Sequence, residues 1–234
     1  MVLKLRDEMT QIENEFYNQG YSIIAGVDEA GCGPLAGPVV ACAVILPKDY
    51  FNPLIYDSKK VSAKLRVELF KVIAENAVDI GIGIASSDEI DRINIREATK
   101  LAMTRALLDL EVKPEVVLVD GNFFDVDFWM SNCDMKKSIV RNIVKGDRKS
   151  ISIASASIIA KVLRDEFMEH YDKIFPNYGF SKHKGYPTKE HLSAIEKYGV
   201  IEIHRRSYAP VRKILKKLTQ IELFHEKSFQ RKDG

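Results

Sequence analysis

Four acidic side chains stand where apolar runs of the chain stop. Asp28 and Glu29 close "AGVDEA", Asp120 closes "VVLVDG", and Asp147 ends "VRNIVKGD". Aspartate is disfavoured in strands, and adjacent anions repel unless a cation joins them or one stays protonated. A single acid at a strand end is commonly a turn residue. Acids at the ends of several strands of one sheet would instead converge on one edge. Gly121 and Gly146 beside them permit sharp exits and close approach by a ligand. Four oxygen donors without a histidine or cysteine cluster suit magnesium or manganese rather than zinc. Magnesium keeps water and phosphate oxygens among its ligands, so the chemistry this set suggests is performed on phosphate. Neighbours along a strand face opposite ways. Glu29 is therefore expected at the strand's end or at a bulge if it shares an ion with Asp28.

The loop that follows, "GCGPLAGP", does not read as a nucleotide-cofactor loop. A dinucleotide fingerprint needs a helix immediately after its glycines. Here Pro34, Pro38 and the run "VVACAVIL" predict a strand, and no Gly-Lys-Ser/Thr follows that would make a phosphate-binding loop.

The elements that must position these acids can be read from periodicity. "YSIIAGVDEA" and "PVVACAVILP" predict two strands in a hairpin, the second apolar enough to be fully buried. Residues 62–77 have helical spacing, with Leu65, Leu69, Val72 and Ile73 on one face and Ser62 as cap. "VDIGIGIAS" alternates as a strand, and the segment from Ser87 to Leu110 reads as one long helix with acids at its positive end. "PEVVLVDG" is a short strand, and "SIVRNIVKGD" another that ends near Asp147. The small residues of "SISIASASIIAKVLRDEFMEHYDKIF" predict a helix able to lie close to a sheet, and shorter helices follow. The pattern is that of an α/β protein, a mixed central sheet flanked by helices with a small C-terminal helical subdomain. It divides as an N-terminal helical extension over 1–20, a main domain over 21–175, and a basic C-terminal subdomain over 176–234.

Composition narrows the classes further. With 46% hydrophobic residues in 234, the chain can bury a full core. Its longest uncharged apolar run is far below the roughly 18 residues of a membrane helix, and no signal-peptide pattern opens it. Cys32, Cys42 and Cys133 are odd in number and lack metal-site spacing, which fits a reducing, cytoplasmic setting. The net charge is only +2, yet residues 177–234 hold 13 Lys and Arg against 6 Asp and Glu. An acidic body with a basic appendage suits a polyanionic partner.

Eight stretches, taken together and in order, resemble bacterial ribonuclease HII from Ile24 to Pro210. They are "AGVDEAGCGPLAGPVVACAVIL", "DSKKVS", "IDRINI", "VLVDG", "VKGD", "SIASASIIAKVLRD", "YGFSKHKGYPTKEH" and "HRRSY". The resemblance implies a ribonuclease H-like fold and a metal-dependent endoribonuclease. That enzyme would hydrolyse the RNA strand of RNA–DNA hybrids and incise 5′ of ribonucleotides embedded in duplex DNA. It also implies that Asp28 and Glu29 are the first metal-binding pair, Asp120 the third acid and Asp147 the fourth. These would be catalytic through two Mg2+ or Mn2+ ions about 4 Å apart that leave 5′-phosphate and 3′-hydroxyl ends. Asp165, inside a helix, reads as a surface residue or local hydrogen-bond partner, and Asp57 as a turn residue beside Lys59, a candidate phosphate contact.

Discriminating ribose from deoxyribose requires a group that feels the 2′-hydroxyl. By resemblance this is the turn Gly31, Cys32, Gly33, with Tyr186 against the sugar. Cys32 stands where the family carries arginine, so a charged contact is missing; it reads as a small neutral substitute rather than a nucleophile. Lys182, Lys184, Arg205 and Arg206 are candidate phosphate contacts, giving salt-sensitive binding indifferent to base order. The partners expected are RNA–DNA hybrids and ribonucleotide-containing DNA, with no membrane and a monomeric enzyme. "QIELFHEKSF" has a glutamine and aromatics but poor spacing for a sliding-clamp peptide, so no clear motif supports a clamp contact. Two alternatives stay open: a nuclease of the same fold that acts on DNA, and a relative that binds nucleic acid with impaired catalysis.

Overall fold

Seven consecutive buried residues, Val39–Ile45, form the strand around which the sheet is built. A computed structural model describes residues 2–56, 61–122 and 138–230, apart from the side chains of residues 218 and 221–230. In chain order its elements are α1 (Val2–Asn18), β1 (Ile24–Ala30), β2 (Val39–Ile45), α2 (Ala63–Asn76), β3 (Asp79–Ala85) and α3 (Ser87–Asp109). They continue as β4 (Val116–Asp120), β5 (Ile139–Ile143), a 3-10 turn (Gly146–Arg148), α4 (Ile151–Ile174), α5 (Phe180–His183), α6 (Lys189–Tyr198) and α7 (Ala209–Gln230). The strand order is β3-β2-β1-β4-β5. β1, β2 and β3 pair antiparallel, as the short connection after β1 requires, while β4 and β5 join parallel to β1. This is the mixed, helix-flanked sheet that the sequence pattern predicts. Among the described residues no helix is long and apolar enough to cross a membrane.

The chain forms two compact units. The first comprises Met1–Cys32, Val39–Ala85 and Arg96–Arg164, and holds the sheet. Its core includes Cys42, Val44, Leu69 and Ile73, packed with Ile151, Ala154, Ile158 and Ile159 of α4. Ser62 caps α2 by accepting from the Leu65 amide at 3.3 Å, so the start of that helix is set by its own sequence. The second unit comprises Gly33–Pro38, Ser86–Ile95 and Asp165–Gly234. It is organised on Tyr178 and Phe180, whose rings stack at 5.5 Å, with Leu35, Met168, Ile195, Ile203 and Val211 around them.

Two local departures from periodicity matter for position. The segment expected as one long helix is kinked at Asn94, which has φ 69° and ψ 164°. This pair of angles lies outside the left-handed helical well, in a region that glycine populates almost alone, so the kink holds the asparagine in a strained conformation. The strand expected to reach Asp147 stops at Ile143, and Lys145 turns left-handed at φ 58°. Asp147 is thereby lifted out of the sheet onto the 3-10 turn. There it is buried, 5% exposed.

Candidate active site

The pairing register brings the acids together within the first unit. β1 and β4 run parallel with Gly26 opposite Leu118 and Val27 opposite Val119, and the recorded pairing ends there. Asp28 and Asp120 are the next residue on each strand, so they lie side by side at the sheet's end and share a face. Asp28 remains paired to Cys42 of β2, and that face carries α4. Glu29 lies opposite Ala41, in register with Gly83, where a built Cβ would fall on the Ala102 carbonyl of α3. Asp28 and Glu29 therefore straddle the sheet. No bulge is needed: β1 continues beside β2 to Ala30 while its pairing with β4 has ceased, and Glu29 is free to act on the same charge centre from the other face.

The electrostatics record this convergence. Burial pushes the Asp28 carboxyl well above the usual carboxylate range, and repulsion from Glu29 and Asp120 adds to it. Opposing donors are the Ser157 side chain and the Glu29 amide, the latter 2.7 Å from Asp28 Oδ1. Glu29 is raised too, first by burial, against a hydrogen bond from the Cys32 thiol at 3.3 Å, with Asp120 repelling it. Asp120 accepts the Gly146 amide through Oδ1 at 2.6 Å, and the Gly121 amide returns to Ile143. Asp147 is the residue after Gly146 and so is tied to Asp120 through one peptide.

Such a cluster can hold hard cations. The largest influences on Asp28 and Glu29 among the described residues are burial, neighbouring acids, and hydroxyl, thiol and amide donors. Buried like charges of this kind are made tolerable by protonation or by a bound cation, and the donors are carboxylate oxygens alone. Among the described residues no three His, Cys, Asp or Glu side chains are already arranged around an ion position. Glu29 is instead turned to Cys32, and Asp28 toward Ser157.

Of the expected ribose contacts, the structure joins Gly33 and Tyr186 within the second unit. A Cβ built on Gly33 would stand 3.4 Å from Tyr186 Cε1, and the phenol is 45% exposed. The Leu35 amide bonds Gly185 at 2.8 Å, and Gly185, at φ 83°, has room for no side chain because Ala36 O is 2.6 Å from its Cβ position. Gly31, at φ 105°, and Cys32 belong to the first unit, where the thiol also meets Thr99 Oγ1 at 3.3 Å. Lys59 and its neighbour Asp57 lie outside the described residues.

The Tyr186 turn rests on three histidines. His183 Nε2 bonds Tyr178 O at 2.8 Å and its Nδ1 accepts the Gly185 amide at 3.2 Å. His191 Nδ1 bonds Tyr186 O at 3.0 Å, and its Nε2 lies 3.1 Å from His204 Nε2. His204 Nδ1 accepts the Ile201 amide at 3.1 Å. Only one set of neutral tautomers satisfies every contact. His191 carries its proton on Nδ1 and gives it to the Tyr186 carbonyl; His204 carries its proton on Nε2 and donates it to His191.

One expected phosphate contact is corrected. Arg205 is fully buried, and its guanidinium bonds Gly37 O at 2.9 Å, Pro38 O at 3.3 Å and Tyr208 Oη at 3.0 Å. It ties down the end of the glycine-proline loop and has no face for a phosphate. Lys184 pairs with Glu169 at 2.7 Å, while Lys182 and Arg206 are exposed. Sequence reasoning passed over Ser157 and Thr99. For Ser157 the visible signal is hydroxyls among small residues on the sheet-facing helix "SISIASASIIA", which apolar periodicity ignores; Thr99 on α3 carries no such signal. Asp165 belongs to the second unit and the four acids to the first.

Comparison with known proteins accords with this geometry. The family model described as Ribonuclease HII matches residues 25–211. A protein named Ribonuclease HII from Enterococcus faecalis is 50% identical over 212 residues, spanning 91% of this chain and 79% of its own. Another of that name, from Syntrophus aciditrophicus, is 52% identical over 200 residues, 86% of this chain and 90% of its own. The solved ribonuclease H2 from Pyrococcus horikoshii OT3 aligns with a TM-score of 0.70 at 28% identity, covering 83% of this chain and 98% of that one.

Proposed function

The chain belongs to the ribonuclease HII family, and from that premise we propose that Asp28, Glu29, Asp120 and Asp147 are where it cuts the RNA strand of RNA–DNA hybrids. It is a ribonuclease H, a hydrolase of phosphodiester bonds. The same site would incise 5′ of ribonucleotides embedded in duplex DNA and leave 5′-phosphate and 3′-hydroxyl ends. The observation that carries the reading is the convergence of Asp28, Glu29 and Asp120 at one end of the sheet, contributed by two parallel strands from distant parts of the sequence, with Asp28 buried.

Two Mg2+ or Mn2+ ions bound there would supply an activated water and charge stabilisation for the departing 3′ oxygen. The chain's own residues do the rest. Asp28, held between Ser157 and the Glu29 amide, presents carboxylate oxygens from the α4 face, and Glu29 presents its own from the α3 face. Asp120 is aimed by the Gly146 amide. Gly33 and Tyr186 offer a backbone and an aromatic face to a sugar, which supports selection of ribose over deoxyribose. Exposed Lys182 and Arg206 would add contacts to phosphates. Catalysis by the monomer is part of the proposal.

The test is a duplex series with no ribonucleotide, one, or several, assayed with Mg2+ and with Mn2+. Cleavage should require at least one ribonucleotide, and Asp28→Asn should lower it by about 10³-fold or more while hybrid binding persists. Equal cleavage of all-DNA duplexes, or a normal rate in Asp28→Asn, would overturn the reading.

A further inference from the structure

α1 lies ahead of residue 25, the first that the family model matches, yet it carries a buried acid. Glu13 is 3% exposed. Its Oε1 accepts the Ser150 hydroxyl at 2.6 Å, the Ser152 hydroxyl at 2.7 Å and the Ser152 amide at 3.2 Å. Its Oε2 has no partner among the described residues, and Glu13 also lines a cavity of about 40 Å3 with Tyr50, whose hydroxyl is likewise without one. Tying two helices together with a half-satisfied buried acid is costly, and an apolar contact of similar size would be at least as stable. What the acid fixes is a register: three donors, from Ser150 just ahead of α4 and from Ser152 in its first turn, meet a single oxygen.

That register propagates to the sheet edge through contacts within the first unit. A Cβ on Gly26, two residues before Asp28, would fall on the backbone of Ser152 and Ile153, so strand and helix touch with no side chain between them. Ile153 Cδ1 stands 2.6 Å from the Cβ position of Gly146, whose amide holds Asp120. Ser157, five residues beyond Ser152 on the same helix, donates to Asp28. We propose that Glu13 is a positioning residue for the hydrolysis: it sets the start of α4 so that Ser157 and Gly146 place Asp28 and Asp120 for reaction. This rests on the reading of those two acids as the reacting edge. A misplacement of about 1 Å in such a site can cost roughly 100-fold in rate.

The experiment compares Glu13→Ala, Glu13→Gln and Asp28→Asn in the full chain, with steady-state cleavage of a hybrid and Mn2+ binding to the protein alone by calorimetry. Gln keeps an acceptor for all three donors. Glu13→Ala should lower kcat about tenfold or more with KM within twofold, and weaken Mn2+ binding about tenfold, while Glu13→Gln stays within threefold of the parent in both. Should Glu13→Ala not fold, Ser152→Ala, which removes one hydroxyl bond, should still lower kcat about threefold at unchanged KM. A folded Glu13→Ala with parental kcat and Mn2+ affinity overturns the proposal, as does a change in KM alone. If Asp28→Asn is inactive and Glu13→Ala is not, only the positioning role falls. An active Asp28→Asn would remove the reading of the edge itself.

Discussion

Acidification from pH 7 to 4.5 should loosen the histidine-braced turn that carries Tyr186. His191 and His204 are 0% and 1% exposed, and burial is the first cause that lowers both, to about 4 and about 3 from an ordinary 6.5. Their contacts explain why protonation is resisted: a second proton on His191 would point at the Nε2–H of His204, and one on His204 Nδ1 would face the Ile201 amide. The unfolded chain binds both protons near pH 6.5 and the folded chain does not until about 4 and 3. Over that window the unfolded state holds more protons, so stability rises with pH and is lost as pH falls. Each proton is worth about 1.4 kcal/mol per pH unit, and over this interval the pair amounts to about 5 kcal/mol, comparable with the whole stability of a typical domain. Glu13, raised by burial, responds with the opposite sign in the other unit, because acid relieves its buried charge. A global melt would mix the two responses. The readout is therefore local: amide exchange over residues 180–204 against β1 and β4, with imidazole proton shifts by NMR. His204→Gln should roughly halve the pH slope of exchange. Imidazole resonances of His191 and His204 that titrate near 6.5, or exchange in 180–204 that ignores pH, would refute the reasoning.

Three further outcomes follow from the geometry. Asp28→Asn should stabilise the protein in chelator while removing cleavage, since it replaces a buried acid that its neighbours repel with a neutral amide; a lower denaturation midpoint would contradict this. Gly26→Ala should destabilise by about 3 kcal/mol or more, read by chemical denaturation, because the added methyl meets backbone that cannot rotate away. Tyr186→Phe should keep cleavage of a singly substituted duplex within about threefold, and Tyr186→Ala should lose about tenfold, since only a ring can lie against the sugar; full activity in both would discard the role.

The strands and helices were legible because their signals are local. The run Val39–Ile45 can only be an interior strand, and Ser62 announces the helix that it caps. The acids were legible as strand-end residues for the same reason, with Asp147 the exception. A backbone reversal at Lys145, a residue with no preference for left-handed φ, takes it off the strand that the apolar pattern extends. Arg205 reads as a surface cation from composition, and nothing local shows that the Gly37 and Pro38 carbonyls claim its guanidinium. Glu13 was illegible for a stronger reason: its partners lie 137 and 139 residues away, and a lone glutamate on an amphipathic helix carries no mark of burial.

The position of Glu29 follows from arithmetic that the sequence already contained. Two adjacent acids on one strand cannot share a face, so they can share a charge centre only beyond the point where a neighbouring strand lets go. β4 ends at Asp120, one residue past its last recorded pairing with Val27, and this opens that point beside Asp28. Each acid of the pair must then be steadied from its own side: Asp28 by Ser157 on α4, Glu29 by Cys32, which meets Thr99 on α3. The two supports run through different helices and different hydrogen bonds. Damage to one should therefore leave the other acid in place, and only loss at the Asp120 end, which repels both, should disturb the pair together.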